Sequence, residues 1–317
     1  YSGTGSERNV TGWDFAPDLV WTKNRANANA HFLVDKVRGT TKTLYSNNNS
    51  VEETRSNGLT AFLSNGFTIG GNEQGMNDSS HTYVSWAWKA NGSGSSNGDG
   101  AQTTTVSANT TAGFSIVKGT GTGSATTYGH GLGVTPKVYI SKATDGSADM
   151  SWWVLHNIYD GTWDYSNLDL QGNANSTLGS TGATSSVLNM TWTNTQNFIA
   201  YCFVEVKGFS SFNSTVGRGN ADGPFVNTGF TPQLVIVKGN GGSWFMWDTV
   251  RDTTNPITSP TWADMTYGDT ADGANYNIEI VSNGFKIRGT NSGINSDTSR
   301  YIYMAWAETP FKYANAR

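Results

Sequence analysis

Two short motifs set an acid three residues ahead of an arginine: Asp35-Lys-Val-Arg38 and Asp248-Thr-Val-Arg251. A carboxylate beside a guanidinium can serve as a general acid or base next to an anion clamp. The same two groups can instead form an ion pair that ties down a strand end. Both copies sit in similar surroundings, so they read as structural pairs that recur because the fold recurs. The middle of the chain has His156 and Tyr159 at this place. Chemistry that needs Asp and Arg together is therefore missing from one copy in three.

Other reactive side chains are scattered. Gly119-Thr-Gly-Thr-Gly123 suggests a phosphate cradle, but no helix pattern and no Gly-Lys-Ser/Thr follows it. Without a helix N-terminus to aim amides at a phosphate, it reads as a turn or an edge strand. His31, His81, His130 and His156 lack metal-ligand spacing, and no metal or cofactor is expected. The single cysteine, Cys202, lies in an apolar run and reads as a buried thiol with no disulfide partner in the chain. Glu52, Glu53, Asp160, Asp164, Asp264 and Asp269 supply acids for a glycosidase, but the sequence does not pair them. No Gly-x-Ser-x-Gly elbow occurs. Asp269-Thr-Ala-Asp272 offers oxygen ligands for calcium without an EF-hand loop. Of the 12 tryptophans, Trp152, Trp163, Trp192 and Trp262 stand in polar, loop-like sequence. They are the candidates for stacking on a sugar ring, against the alternative of packing at an interface.

The elements that would position these residues recur three times. Pro17-Asp-Leu-Val-Trp-Thr-Lys23, Pro136-Lys-Val-Tyr-Ile-Ser-Lys142 and Pro232-Gln-Leu-Val-Ile-Val-Lys238 each open a buried strand. Tyr83-Val-Ser-Trp-Ala-Trp-Lys89, Phe198-Ile-Ala-Tyr-Cys-Phe-Val-Glu205 and Tyr301-Ile-Tyr-Met-Ala-Trp-Ala-Glu308 each close a copy. Between them lie Phe32-Leu-Val-Asp35, Trp153-Val-Leu-His156 and Phe245-Met-Trp-Asp248. A Ser-Asn-Gly-Phe turn recurs at Ser64–Phe67 and Ser282–Phe285, where Asn-Gly would supply positive φ for a tight hairpin.

Charged residues are only 14% of the chain, while Gly, Asn, Ser and Thr abound. Such alternation and turn density predict an all-β fold of three divergent tandem antiparallel β-sandwich repeats, jelly-roll-like. The expected division is residues 1–92, a Gly/Ser/Thr-rich linker or extended arm at 93–112, then 113–208 and 209–317. Asn91-Gly-Ser-Gly-Ser-Ser-Asn-Gly-Asp-Gly100 reads as flexible, with the first repeat loosely attached and the other two packed closely. A net charge of −4 without basic clusters argues against nucleic acid, and no apolar run reaches membrane-span length. The opening on Tyr1 and not Met suggests a fragment or a processed product.

Several stretches resemble a family of tail-fibre-like virion proteins of marine tailed bacteriophages. They are Phe15-Ala-Pro-Asp-Leu-Val-Trp-Thr-Lys-Asn-Arg25, Tyr83–Lys89, Gly131-Leu-Gly-Val-Thr-Pro-Lys137, Ala221–Pro232 and the ending Ala307–Arg317. The resemblance implies a structural protein on the virion exterior, assembled with other virion proteins as a homo-oligomer, a trimer in first place. It brings no catalytic motif. The expected role is a non-enzymatic tail fibre or receptor-binding component that attaches to the host surface, with a bacterial surface glycan as ligand. The alternatives are a capsid or tail decoration protein, a polysaccharide-degrading tailspike, and a cell-surface lectin or adhesin.

Overall fold

A computed structural model of the chain describes residues 1–146, 150–172, 176–178, 182–239, 241–269 and 275–307. Among the described residues every pairing between strands is antiparallel, and the one helix is short, Ser292–Asn295. Three units share one plan. A central strand (Leu19–Asn24, Val138–Ala143 or Pro232–Gly239) lies between a second strand and a last strand. The second strands are His31–Asp35, Trp153–His156 and Trp244–Asp248, and the last strands are Tyr83–Trp88, Asn197–Phe203 and Arg300–Ala307.

Both faces of these strands are buried, and successive side chains go to different cores. In the first unit Val20, Phe32 and Val34 face Val10, Leu59, Phe67 and Ile69 of a smaller sheet, closing a two-layer sandwich. The second and third units close in the same way, around Tyr139 with Leu188 and around Val235 with Phe285. The alternate residues, Leu19 and Trp21, Val138 and Ile140, Leu234 and Ile236, all enter a single fourth core shared by the three units. Period-two alternation thus serves two cores at once, which is why the strands read as continuous apolar runs.

At the centre of the shared core Trp88, Phe203 and Trp306 form a triangle, one ring from each unit. Its sides are 6.2, 5.6 and 5.7 Å between centroids, each pair close to edge-on. That is the favoured geometry for aromatic pairs. A cavity of about 20 Å³ remains between Trp21, Trp88, Tyr201, Phe203, Ile236 and Trp306. It has room for about one water but offers no polar partners, so it is expected to stay dry. Truncating Trp88 to Ala would empty one corner of the triangle and cost about 3–5 kcal/mol.

Two expectations about organisation need correction. Of the linker or extended arm expected at 93–112, the flexible linker does not hold: Ser95–Asn97 and Thr104–Asn109 are extended strands paired on the edge of the second unit's eight-stranded sheet. The buried Ser107 hydroxyl accepts from the Asn91 amide and donates to the Gly92 carbonyl, fixing the glycine-rich stretch. The first unit is not loosely attached either, since Trp21, Trp86 and Trp88 all lie in the shared core.

The Ser-Asn-Gly-Phe hairpins hold a different lesson. Leu63 pairs with Gly66, and Val281 with Gly284, so the two-residue loops are Ser64-Asn65 and Ser282-Asn283. None of these residues or their glycines has positive φ. Glycine is needed because the neighbouring strand crosses so closely. A Cβ would lie 2.0 Å from the Val10 carbonyl oxygen at Gly66 and 1.9 Å from that of Val226 at Gly284.

Candidate functional site at the seams between units

Three equivalent positions stand at the start of the second strands: His31, Trp152 (one residue ahead of its strand) and Trp244. Their backbone amides donate to Asn47 Oδ1 at 2.8 Å, Asp169 Oδ1 at 3.0 Å and Asp264 Oδ1 at 3.0 Å. Each side chain then reaches into a neighbouring unit. Trp152 Nε1 donates to the Tyr45 carbonyl at 2.7 Å, and Trp244 Nε1 to the Asn167 carbonyl at 2.8 Å. The ring of His31 lies by the Trp262 and Met265 carbonyls, which favour its charged form. Burial, with the charge of Lys23 in support, outweighs them and lowers its pKa well below the usual value. The contacts run second unit to first, third to second and first to third. This is a cyclic, head-to-tail arrangement with pseudo-threefold order inside one chain.

The same cycle orders the charges. The terminal lysines of the central strands are all buried. Lys142 Nζ donates to the Asn49 carbonyl of the first unit at 2.9 Å, and Lys238 Nζ to Leu170 O of the second at 3.2 Å. Lys23 stays within its own unit, on the carbonyls of Asn24 and Asn27 at 2.6 and 3.2 Å. Arg25 crosses to the third unit in its place, to Asp269 at 2.7 Å. Burial lowers the pKa of both Lys23 and Lys238 to about 8.

Asp35 and Arg38 form a buried ion pair, extended by Glu52 at 3.1 Å. Tyr201 of the second unit donates its hydroxyl to Asp35 at 2.8 Å. Asp248 and Arg251 repeat this with Asp269 at 2.8 Å, and Arg251 lies 5.9 Å over the Trp86 ring of the first unit. Arg38 also donates to the Leu33 carbonyl, and Arg251 to the equivalent Met246 carbonyl. Burial by itself lowers the pKa of both guanidiniums. Asp35, Tyr201 and Glu52 outweigh it at Arg38, and Asp248 and Asp269 at Arg251, so both stay charged. In the second unit Tyr159 takes the arginine's place, and the cation comes from outside: Arg300 of the third unit donates to its carbonyl at 2.7 Å and lies 5.5 Å over its ring.

The tryptophan expectations must be corrected in three cases out of four. Trp152, Trp163 and Trp192 are buried and cannot offer a face to a sugar. Trp152 is a seam residue; Trp163 packs on Tyr139, and Trp192 stacks on Phe198. Polar neighbours in sequence misled here, because a loop folded over an indole is still a cover. Trp262 remains half-buried. Tyr267 meets it edge-on at 6.0 Å, and Tyr276 at 5.9 Å. Tyr267 is 56% exposed, which leaves this aromatic patch open, with Arg25 and Asp269 nearby on the same seam. Sequence reasoning missed Tyr267 and Arg25. Their partners lie far apart in the chain, and only the seam joins them.

The acids named as glycosidase candidates are mostly committed elsewhere. Glu52 and Asp269 serve the arginines, Asp264 accepts from a backbone amide, and Glu53 accepts from the Tyr45 hydroxyl. Asp160 holds Thr162, and Asp164 is buried with its pKa raised by desolvation. The Thr270–Asp272 part of the expected calcium loop and the ending after Ala307 lie outside the described residues.

A family model described as "Domain of unknown function (DUF7483)" matches residues 1–310. No curated protein and no solved structure matches the chain.

Proposed function

The chain belongs to the DUF7483 family, and from the resemblance its sequence carries we propose that it is a non-enzymatic structural protein of a bacteriophage virion, a tail fibre or receptor-binding component. Its work is attachment to the host surface, on the exterior of the particle and in company with other virion proteins. The observation that carries the reading is the use made of the reactive groups. The Asp-Arg pairs, Lys142 and Lys238, and Trp152 and Trp244 are spent on joining strands and units. Such a body is a stiff support, and loops on a stiff support can vary while the core is kept. The Trp262–Tyr267–Tyr276 patch is the surface best suited to a bacterial glycan, since aromatic rings stack on the apolar faces of sugars.

The test is binding of the purified protein to bacterial cells and to an array of bacterial glycans, with product analysis on every hit. Saturable binding without cleavage, lost in Tyr267→Ala and Trp262→Ala, supports attachment. Release of cleaved glycan would overturn the non-enzymatic reading. A folded protein that binds nothing would remove attachment and leave a particle-building role. The solution mass tests the expected homotrimer, because one chain already supplies a three-way ring.

A further inference from the structure

The seams follow one plan, and one of them carries side chains that the plan does not need. Between the second and first units, the Glu52 amide donates to the Thr144 carbonyl at 3.0 Å, and the Glu52 carboxylate pairs with Arg38. Between the first and third units, the Asp269 amide donates to the Arg25 carbonyl at 2.7 Å, and the Asp269 carboxylate pairs with Arg251. Arg25 and Thr144 are therefore equivalent, each one residue beyond a matched pair: Asn24 lies opposite Tyr83, and Ala143 opposite Phe198. Tyr45 and Trp262 are equivalent as well, since they follow Leu44 and Thr261, the partners of Leu33 and Met246. Two residues ahead of each acid, Ser50 matches Tyr267.

These exchanges change what the seam shows to solvent. Thr144 and Ser50 are small, and Tyr45 is buried with its hydroxyl held by Glu53 and Arg55. Arg25, Tyr267 and Trp262 instead bring a guanidinium and two rings to the surface, with the Arg25 side chain 33% exposed. The seam between the third and second units has Asn167 in the place of Trp262, so it too closes without a ring there. The Arg25 guanidinium is held in position. Its Nε donates to Asp269 at 2.7 Å and its Nη2 to the Arg251 carbonyl at 3.3 Å, while Nη1 has no acceptor among the described residues. A Cβ at Gly268 would lie 2.7 Å from the Arg25 carbonyl oxygen, so the chain that carries Tyr267 runs directly against Arg25. Lys23, Arg25 and Arg251 lie here with two carboxylates, Asp248 and Asp269. One positive charge is left over among the described residues, on a chain whose net charge is −4.

We propose that the seam between the first and third units binds a sugar that bears a carboxylate, with the sugar ring on Tyr267 and Trp262 and the carboxylate on Nη1 of Arg25. The assignment rests on the attachment reading above and narrows its glycan to an acidic saccharide. The aromatic faces stack on neutral and acidic sugars alike. The guanidinium discriminates between them, because a charge-assisted hydrogen bond to a carboxylate is stronger than one to a hydroxyl. The surplus positive charge acts in the same sense. The other seams show that Arg25 and Tyr267 are not required to close the ring of units, which leaves both side chains available for a ligand.

The probes are oligosaccharides of glucuronic, galacturonic, mannuronic and sialic acid, each beside the same oligosaccharide with its carboxyl groups reduced to alcohols. Calorimetry and saturation-transfer NMR on the whole chain measure binding. The proposal expects one-to-one binding of at least one acidic member, with its reduced form weaker by about tenfold or more. Added salt should weaken the acidic member alone. Arg25→Thr and Tyr267→Ser copy the residues found at 144 and 50, so both variants should fold. Arg25→Thr should abolish the preference for the acid and leave the reduced form's binding unchanged, whereas Tyr267→Ser should weaken both. Should Arg25→Thr fail to fold, the acidic and reduced pair on the unmodified chain decides. Equal binding of the two forms, or binding of the reduced forms only, overturns the proposal and keeps glycan attachment. Acid binding that Arg25→Thr leaves untouched overturns it too. If no member of either series binds, the attachment reading falls with it.

Discussion

Trp21 donates its indole N–H to Nδ1 of His31 at 2.9 Å, inside the first unit. The other units fill these two places with Ile140 and Trp152, and with Ile236 and Trp244. A large ring on the central strand goes with a small one on the second strand, or the reverse. Close-packed interiors allow such exchanges when total volume is kept. Here the exchange replaces an indole that crosses the seam with an imidazole whose Nε2 is buried and unpaired.

The swap should therefore be reversible as a pair. His31→Trp alone overfills the site and should destabilise the protein by about 1–3 kcal/mol. Trp21→Ile together with His31→Trp should recover most of that loss. Urea unfolding of the two singles and the double measures the coupling. Additive losses would show that the two positions are independent.

Acid should loosen the fold through the buried histidines. Burial sets the folded pKa of His31, and of His130, below the ordinary value of 6.5. Below pH 6.5 the unfolded chain binds more protons, so stability is full above that pH and falls as pH drops. The double swap at Trp21 and His31 should flatten this fall and leave only the His130 part. Melting temperatures between pH 7 and pH 5 provide the check.

The buried lysines act at the other end of the pH scale. Burial lowers the pKa of Lys238 to about 8 in the folded protein, against an ordinary value of 10.5. Between those values the unfolded state again holds more protons, so stability rises with pH from about 8 to 10.5. Over this window the wild type should gain more than Lys238→Met, whichever is more stable at pH 7. Parallel pH curves for the two would show that Lys238 is not discharged by burial.

Removing one partner from the buried ion pairs should be costly. Asp248→Ala leaves Arg251 at the seam with one carboxylate fewer, and a loss of about 3–5 kcal/mol is expected. Lys286→Ala breaks the exposed pair with Asp222 and should barely move the unfolding midpoint. Equal effects from the two variants would show that the seam pair is more hydrated than its burial implies.

Cys202 should be inert. Burial pushes its thiol up to about 12, with Ser115 only partly opposing. Iodoacetamide at pH 8 should leave the folded protein unmodified and alkylate it once unfolded, as intact mass will report. Rapid labelling of the folded form would reveal local opening of the second unit's sheet.

The all-β class, the three recurring strands and the Asp-Arg pairs were legible in the residue pattern, because strand alternation and repeated motifs are local signals. Local signals also misled. Ser-Asn-Gly was read as a turn needing positive φ, when Gly66 and Gly284 yield to a crossing strand. The stretch before Ala101 was read as flexible, although the second unit's sheet takes it up. Trp152, Trp163 and Trp192 looked available because their sequence neighbours are polar, and burial is not a property of neighbours in sequence.

By itself the sequence determined which side chains alternate along each strand and that the pattern occurs three times. Only the tertiary structure decided that the second alternating face is a core shared by three units, closed head to tail, with Tyr267 exposed. The reason is physical. Alternation follows from the geometry of a single strand, whereas the partner of each face depends on apolar surface and hydrogen-bonding groups brought together from distant parts of the chain.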